Sequence, residues 1–428
     1  MDIEILIADI VTLLLSTRFA YKNFRNILGN MYSVVYLIFF VFYVFPLYLD
    51  YFVSFPDYSQ QERYLGFDLS VKDVNTRIVY DFFVIAIQML FMKLIHKKTH
   101  IENLTSARPV RDVSWFLIAG MLFPTIITLI FPVDKGILYT FGWRELDMFV
   151  YNSATHTVED FSYFGVLCSL LLLFNNNSNV RSWRKILYIL FLYINMCVQG
   201  KRSIMFFAIV SAVLILLPGV QKDTIDKEKE RKRFIYLAIA SVVGIIVMLF
   251  VTVYVKVAIR GWDANDAMEL YTMTRIDFLK DDRVRFAIYS MLYPEKVTIL
   301  NDIGQTVFPI ITWFYPINAF LAQRGYVYLS YQDYFSDALQ HVVNQPFMTT
   351  SIFAEFLSNF GVIGPLVMLL LMSFVAKKAT SNSYPFRAIL LISFLALQMY
   401  TTKYLAIFFE LCIIYSVLYY YANRKRVK

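Results

Sequence analysis

Residues 234–256, FIYLAIASVVGIIVMLFVTVYVK, form an apolar run that meets no charged residue before its last position. A helix needs about 20 mostly apolar residues to cross the hydrocarbon core of a bilayer. Similar runs recur along the whole chain of 428 residues, which is 58% hydrophobic and only 17% charged. Soluble domains carry about 25% charged residues. The composition therefore predicts a protein that crosses a membrane many times.

We predict an all-α polytopic membrane protein with about eleven transmembrane helices and one long, structured outer loop. The outer loop is expected to contain amphipathic or re-entrant helices, because its apolar stretch 303–322 is interrupted by two prolines. The predicted spans are 3–17, 31–53, 78–95, 114–132, 160–175, 185–199, 203–219, 234–256, 361–376, 385–401 and 404–421.

Lysine and arginine are distributed unevenly between the connecting loops. They cluster after the first, third, fifth, seventh and ninth predicted spans and again at the end of the chain, whereas the alternate loops are acidic or mixed. Basic loops stay on the cytoplasmic side. The N-terminus is therefore predicted to lie outside and the C-terminus in the cytoplasm, in the plasma membrane of a bacterium.

The net charge of +8 does not indicate nucleic-acid binding, because the excess charge is confined to short loops. The predicted organisation has three parts. Residues 1–256 hold the first eight spans, residues 257–360 form the large extracytoplasmic loop, and residues 361–428 hold the last three spans and a basic cytoplasmic tail.

The turn Gly200-Lys201-Arg202 joins the sixth and seventh predicted spans on the outer side, where positive charge is unusual. Lys201 and Arg202 are candidates for binding a lipid-linked phosphate or pyrophosphate, since arginine offers a planar fork and lysine a point charge. The alternative is a pair of side chains that extend from the membrane to the headgroup boundary.

A series of arginines in the outer loop forms a second candidate group: Arg260, Arg275, Arg283 and Arg285. Residues two positions apart do not share one face of a helix. If the segment is helical, only one of Arg283 and Arg285 can therefore point into a site. The alternative is that these arginines form surface ion pairs with the neighbouring acids Asp277, Asp281 and Asp282.

His341 is the only histidine of the outer loop and a candidate general base. A single loop histidine is more often an ordinary polar residue. The chain has four histidines and shows no spacing typical of a metal centre. We therefore predict neither a metal site nor another cofactor.

The fourth candidate feature is the run TTSIFAEFLSNFGVIG, residues 349–364. Glu355 stands in an apolar context, and Asn359 follows four positions later, on the same face of a helix. A carboxylate in such surroundings needs a cationic partner, for which Arg202 and the outer-loop arginines are candidates. The alternatives are a structural ion pair or an acid at the interface. Gly361 and Gly364 would permit the close approach of a helix or a lipid tail.

Three of these features together resemble the oligosaccharide repeat-unit polymerases, the Wzy family of bacterial O-antigen and capsule synthesis. They are the Gly-Lys-Arg turn at 200–202, the long outer loop with its arginines, and the run at 346–364 that opens the next span. The similarity in topology covers the whole chain, whereas the similarity in sequence is confined to these two short segments.

The resemblance implies a metal-independent glycosyltransferase of the outer leaflet. It would transfer a glycan from undecaprenyl pyrophosphate to the sugar of the next lipid-linked repeat unit. Lys201 and Arg202, and with them Arg260, Arg283 and Arg285, would stabilise the departing pyrophosphate; Glu355, with Asn359, would orient arginines or the acceptor, and His341 is a candidate base. The implied partners are undecaprenyl-pyrophosphate-linked glycans, membrane lipids, a chain-length regulator and a flippase.

Two other functions stay open at this point. A flippase for lipid-linked oligosaccharides, or another transporter, typically shows repeat symmetry, broken helices and short loops. A ligase-type glycosyltransferase, or a cell-wall glycan polymerase, shares the chemistry of glycosyl transfer. O-antigen ligases often carry a His-Asn pair before the final re-entering helix, whereas Thr349 and Thr350 occupy that neighbourhood in this chain.

Overall fold

A computed structural model describes residues 3–26, 31–53, 55–58, 65–96, 114–130, 153–173, 182–197, 202–216, 267–299, 324, 331–340 and 350–370. Every regular element in these ranges is a helix, and none of the described residues belongs to a β-strand. The prediction of a helical protein is therefore confirmed for this part of the chain. The predicted spans 234–256, 385–401 and 404–421 lie outside the described residues, as does the stretch 303–322.

The helices vary from short turns to lengths that match a bilayer. They are α1 (Ile3–Asn26), α2 (Met31–Phe39), α3 (Phe45–Phe52), α4 (Leu65–Lys72), α5 (Val74–His96), α6 (Ser114–Ile130), α7 (Ser153–Leu173), α8 (Ser182–Cys197), α9 (Arg202–Leu216), α10 (Ala267–Phe278), α11 (Asp281–Leu292), α12 (Tyr331–Gln340) and α13 (Ile352–Phe360). A π-helical segment, Phe40–Val44, joins α2 to α3, and a 3₁₀ turn, Gly361–Ile363, follows α13.

Three helical stretches of the described chain are long and apolar enough to cross a membrane: Val35–Phe52, Val74–Met92 and Ile352–Leu370. The first two coincide with predicted spans. The third begins nine residues before the predicted start of its span at residue 361. Glu355 and Asn359 interrupt the apolar pattern there, but Ser351 caps the helix by accepting a hydrogen bond from the Ala354 amide.

The outer surface of the helices is strongly apolar. Trp115 is 79% exposed and Phe82 is 68% exposed, and many other large apolar side chains lie on the outside. Such a surface is unfavourable in water but matches a lipid environment. The apolar helices therefore indicate a membrane protein.

Aromatic side chains hold the three candidate spans together. The ring of Phe353 on α13 lies 5.4 Å from that of Phe39 on α2, 5.0 Å from Tyr43 and 5.4 Å from Phe83 on α5. All three contacts are T-shaped, with interplanar angles of 68°, 82° and 80°, an arrangement that favours aromatic pairs. One phenylalanine therefore links α13 to both of the other spans.

Helices α6 to α9 form a second group of neighbours in which α7 contacts each of the other three. The amide of Asn195 on α8 donates a hydrogen bond of 3.1 Å to the carbonyl oxygen of Met121 on α6. A Cβ at Gly165 would lie 2.8 Å from that amide and 2.9 Å from Pro124. Glycine therefore allows the close packing of α7 on its two neighbours.

The segment that follows residue 266 packs onto the spans. Helix α11 contacts α4, α5 and α13, and a small core of Tyr58, Phe67, Phe286 and Phe335 fills the space between α4, α11 and α12. The described part of the predicted outer loop is thus helical and ordered against the bundle.

Gly361 and Gly364 lie at the two ends of the 3₁₀ turn that follows α13. Gly361 has φ of 59°, in the region that favours glycine, and a Cβ there would meet none of the described atoms within 4 Å. A Cβ at Gly364 would collide with the backbone carbonyl of Phe356. The close approach at Gly364 is thus made by the protein's own backbone rather than by a neighbouring helix or a lipid.

A candidate charged site at one end of the spans

A buried network of charges lies between α3, α10 and α11. Arg275 Nη1 donates to Asp50 Oδ1 over 2.6 Å, and Arg285 Nη2 donates to Asp50 Oδ2 over 2.6 Å. Arg275 Nη2 also donates to Asp281 over 2.8 Å, and Arg285 Nη2 lies 3.6 Å from the same carboxylate. Asp50 therefore joins two arginines of the predicted outer loop to the end of a candidate span.

Burial and the neighbouring carboxylates shift the pKa values of Arg275 and Arg285 in opposite directions. Burial by itself lowers the pKa of Arg285, but Asp50 and Asp281 outweigh burial and raise the pKa above its ordinary value. The pKa of Arg275 is raised by the same two carboxylates against the same effect of burial. Both guanidinium groups therefore stay positive throughout the physiological range.

Arg283 has a different environment from Arg285. Its Nη1 donates to the carbonyl oxygens of Ile276 and Leu279 over 2.6 and 3.3 Å, at the end of α10. The group also lies 3.9 Å from Asp282 and over the ring of Phe67. The two arginines therefore use different faces of α11, as their spacing predicted, and the ion pairs expected at the surface are buried.

Asp282 stands beside this network. Tyr58 donates a hydrogen bond of 2.6 Å to Asp282 Oδ1. Burial raises the pKa of Asp282 to about 6, and the charge of Asp281 adds to the effect, while Arg275 and Arg283 oppose it. Asp282 therefore holds its proton to a higher pH than an exposed aspartate.

A pocket of about 150 Å³ lies next to the network. Its charged wall brings together carboxylates and guanidinium groups from four elements: Asp9 on α1, Asp50 on α3, Arg77 and Asp81 on α5, and Arg285 on α11. The rest of its lining is apolar and aromatic, made by Leu13, Leu47, Tyr51, Phe55 and Tyr80.

Contacts within the wall orient several of the charged groups. Arg77 donates to Asp9 over 3.0 Å, the carboxyl group of Asp81 lies beside that of Asp9, and the guanidinium of Arg285 lies 4.7 Å from the centre of the Tyr80 ring. The structure thus places two cations and three acids around one opening. Such a wall can bind hydroxyl and anionic groups and can accept a proton.

Some of the residues predicted from the sequence lie at the pocket or the buried network, and others lie away from both. Arg285 lines the pocket, and Arg275 and Arg283 lie in or beside the buried network. Glu355 is buried in the first turn of α13 and Asn359 is half-buried in its last turn, but neither lines the pocket. Near them, the Tyr331 hydroxyl lies 3.1 Å from the Ala354 carbonyl oxygen and 2.7 Å from the Ser358 hydroxyl.

The remaining candidates fall where the structure gives no side-chain position. Arg202 is the first residue of α9, but its side chain is outside the described part, and Lys201, Arg260 and His341 lie outside the described residues altogether. In the described part, no three histidine, cysteine, aspartate or glutamate side chains are grouped as metal ligands.

Four charged residues of the pocket were missed by sequence reasoning: Asp9, Asp50, Arg77 and Asp81. Each stands inside or at the edge of an apolar run, where an ionisable residue indicates a functional or paired group. These charged residues in apolar runs could therefore have been identified from the sequence. The sequence does not show that Asp50 pairs with Arg275 and Arg285, which lie 225 and 235 positions away.

Comparison of the chain with models of known protein families, with curated proteins and with solved structures finds no match.

Proposed function

We propose that this protein is a glycosyltransferase of the bacterial plasma membrane that polymerises oligosaccharide repeat units carried on undecaprenyl pyrophosphate, for a surface polysaccharide such as capsule or O-antigen. One observation carries the proposal: a single pocket, at one end of the candidate spans, that contains both guanidinium groups and carboxylates. The full protein would have about eleven spans, with its C-terminus in the cytoplasm.

Glycosyl transfer from a pyrophosphate needs two kinds of group. Cations must stabilise the charge that develops on the departing pyrophosphate, and a base must take a proton from the acceptor hydroxyl. In the proposal Lys201, Arg202 and Arg260 supply the positive charge for the pyrophosphate, and Arg77 and Arg285 bind hydroxyl groups of the glycan. The carboxylates of the pocket supply the base. Arg283 stabilises the junction of α10 and α11 through its hydrogen bonds to Ile276 and Leu279. By the family resemblance, Glu355 and Asn359 would orient arginines or the acceptor, and His341 is a second candidate for the base.

The position of the pocket agrees with a reaction on the outer leaflet. Asp50 is near the C-terminal end of α3, whereas Arg77 and Asp81 are near the N-terminal end of α5. The other end of α5 carries Lys93 and His96, in a stretch whose basic residues predict the cytoplasmic side. The predicted orientation therefore puts the pocket at the outer surface, where lipid-linked repeat units are joined.

A transporter of lipid-linked oligosaccharides is the second candidate function. The span Val35–Phe52 is interrupted by a π-helical segment and has Pro46 in its last part, and its Asp50 is paired with arginines. Interrupted spans and buried charges near a binding site are typical of transporters. The two functions differ in their product, because only a polymerase forms new glycosidic bonds.

The deciding experiment uses the purified full-length protein in lipid nanodiscs with synthetic lipid-linked repeat units and EDTA. A polymerase is expected to convert single units into a ladder of longer products, and a metal-independent one does so in EDTA. In cells, the Arg202→Ala variant is expected to carry single repeat units in place of long polymer. Units that stay single with the wild-type protein, but cross the bilayer of a proteoliposome, would instead establish the transporter.

A further inference from the structure

The pocket has the size of one sugar ring. An apolar cavity of about 150 Å³ is large enough to hold benzene, a six-membered ring. The pocket beside Asp50 has a volume of about 150 Å³. Its wall combines aromatic and aliphatic side chains with a few charged groups, the composition expected where one face of a ligand is apolar and its edge is polar.

The polar atoms of the pocket lining that lack a hydrogen bond in the described part of the chain indicate which class of ligand the pocket can bind. Arg285 is 1% exposed and Asp81 is 4% exposed. Within the part of the chain that the structure describes, Arg285 Nε and Nη1 and Asp81 Oδ2 have no hydrogen-bond partner. A bound anion would satisfy the arginine but would repel the aspartate, and a cation would do the reverse. A hydroxyl group donates and accepts, so a polyhydroxylated ring can satisfy both.

The three carboxylates of the pocket are not equivalent. Asp50 accepts hydrogen bonds from two arginines, and Asp9 accepts one from Arg77. Asp81 keeps a buried oxygen, Oδ2, that no group of the described chain satisfies by a hydrogen bond. This unsatisfied oxygen is the one that we assign to a proton from the occupant.

From these observations we infer that the pocket holds the acceptor sugar and that Asp81 is the general base for its attacking hydroxyl. The inference rests on the polymerase function proposed above. The acceptor oxygen forms a bond to the anomeric carbon of the donor glycan while the bond from that carbon to the pyrophosphate oxygen breaks. Undecaprenyl pyrophosphate leaves with the electron pair, and the hydroxyl proton passes to Asp81.

The test compares Asp81→Asn with the wild-type protein in the nanodisc assay with synthetic lipid-linked repeat units. Asparagine keeps the shape of the side chain but cannot act as a base. Turnover is expected to fall by about 100-fold or more, while KM for the acceptor changes little. Asp337→Asn, the same change at an exposed position of α12, is the matched control and is expected to behave as the wild type.

A second measurement uses the wild-type protein alone. A hydrophobic carbodiimide modifies carboxyl groups within membranes, and the modified peptides are identified by mass spectrometry. The synthetic acceptor is expected to protect Asp81 from modification and to leave Asp337 unprotected. Equal modification of Asp81 with and without the acceptor overturns the inference, even if the Asp81→Asn variant fails to fold.

The outcomes separate the inference from the function on which it rests. Wild-type protein that makes no polymer overturns both. Wild-type protein that polymerises beside an Asp81→Asn variant with turnover within about threefold of it overturns the assignment of the base and leaves the polymerase function standing.

Discussion

Asp50 is the residue on which the buried network depends most. Its two carboxylate oxygens accept hydrogen bonds from Arg275 and Arg285, and its side chain is only 5% exposed. A buried ion pair contributes little net stability compared with a well-packed apolar pair, but removing one partner leaves an uncompensated charge. The network is therefore a strong constraint on which residues this position tolerates.

We predict that Asp50→Ala destabilises the protein by about 3 kcal/mol, because it removes a carboxylate that pairs with both Arg275 and Arg285 and leaves them to share Asp281. Thermal unfolding in detergent micelles measures the change. Lys72→Ala is the control, since it removes an ion pair of the same length, 2.6 Å, from an exposed lysine. That variant is expected to lose less than about 1 kcal/mol. Equal losses in the two variants would contradict the assignment of a buried network.

Asp282 gives the fold a dependence on pH. Its pKa of about 6 in the folded protein exceeds the ordinary value of 3.8, so the folded state binds more protons than the unfolded state between these two pH values. Its contribution to stability is thus fully present at low pH and is lost as the pH rises through this window.

We predict that the Asp282→Asn variant loses less stability between pH 4 and pH 6 than the wild-type protein does, because asparagine stays neutral. The melting temperature in detergent at several pH values measures this difference. The change Asp337→Asn, at an exposed site, is expected to leave the pH profile unaltered. A profile of Asp282→Asn that matches the wild type would show that Asp282 is not held in its protonated form.

Among the elements, α13 shows how far the sequence predicts the fold. The apolar pattern predicted a span here with its start at residue 361, whereas the helical stretch begins at Ile352. Glu355 is buried in the structure, and α13 packs against α11, a contact between distant parts of the chain that local periodicity does not contain.

The same limit applies to the candidate site. Arg275, Arg283 and Arg285 were identified from the sequence as charged residues of the long predicted outer loop. The different faces taken by Arg283 and Arg285 followed from their spacing alone. Asp9 and Asp81, by contrast, come from two helices whose contact depends on the packing of the whole bundle. The pocket could not be assembled before that packing was known.

We predict that Phe353→Ala destabilises the bundle by about 3–5 kcal/mol, because it leaves a cavity between three spans. Phe82→Ala is the matched control, since Phe82 is adjacent to Phe83 on α5 but faces outward. Its effect is expected to stay within about 0.5 kcal/mol. Thermal unfolding in detergent distinguishes the two variants, and similar melting temperatures would contradict the packing of α13 on the other spans.

On the scale of the whole molecule, the distribution of charge predicts the direction of the chain in the membrane. The buried network and the pocket lie at the end of α5 that carries Arg77, and the predicted cytoplasmic cluster begins at its other end with Lys93. The proposed reaction uses donors and acceptors of the outer leaflet. Its site must therefore face away from the cytoplasm, and the basic stretch 222–233 must face into it.

This orientation can be tested with single cysteines in a variant that lacks Cys168, Cys197 and Cys412. Lys72 and Lys296 are exposed near the pocket end, on either side of the contact between Asn75 and Tyr293. Cysteines at these two positions are expected to react with a membrane-impermeant maleimide in intact spheroplasts. A cysteine in place of Lys229, in the predicted cytoplasmic stretch, should react only after permeabilisation. The reverse pattern would place the pocket in the cytoplasm, out of reach of repeat units on the outer leaflet, and the polymerase proposal would have to be abandoned.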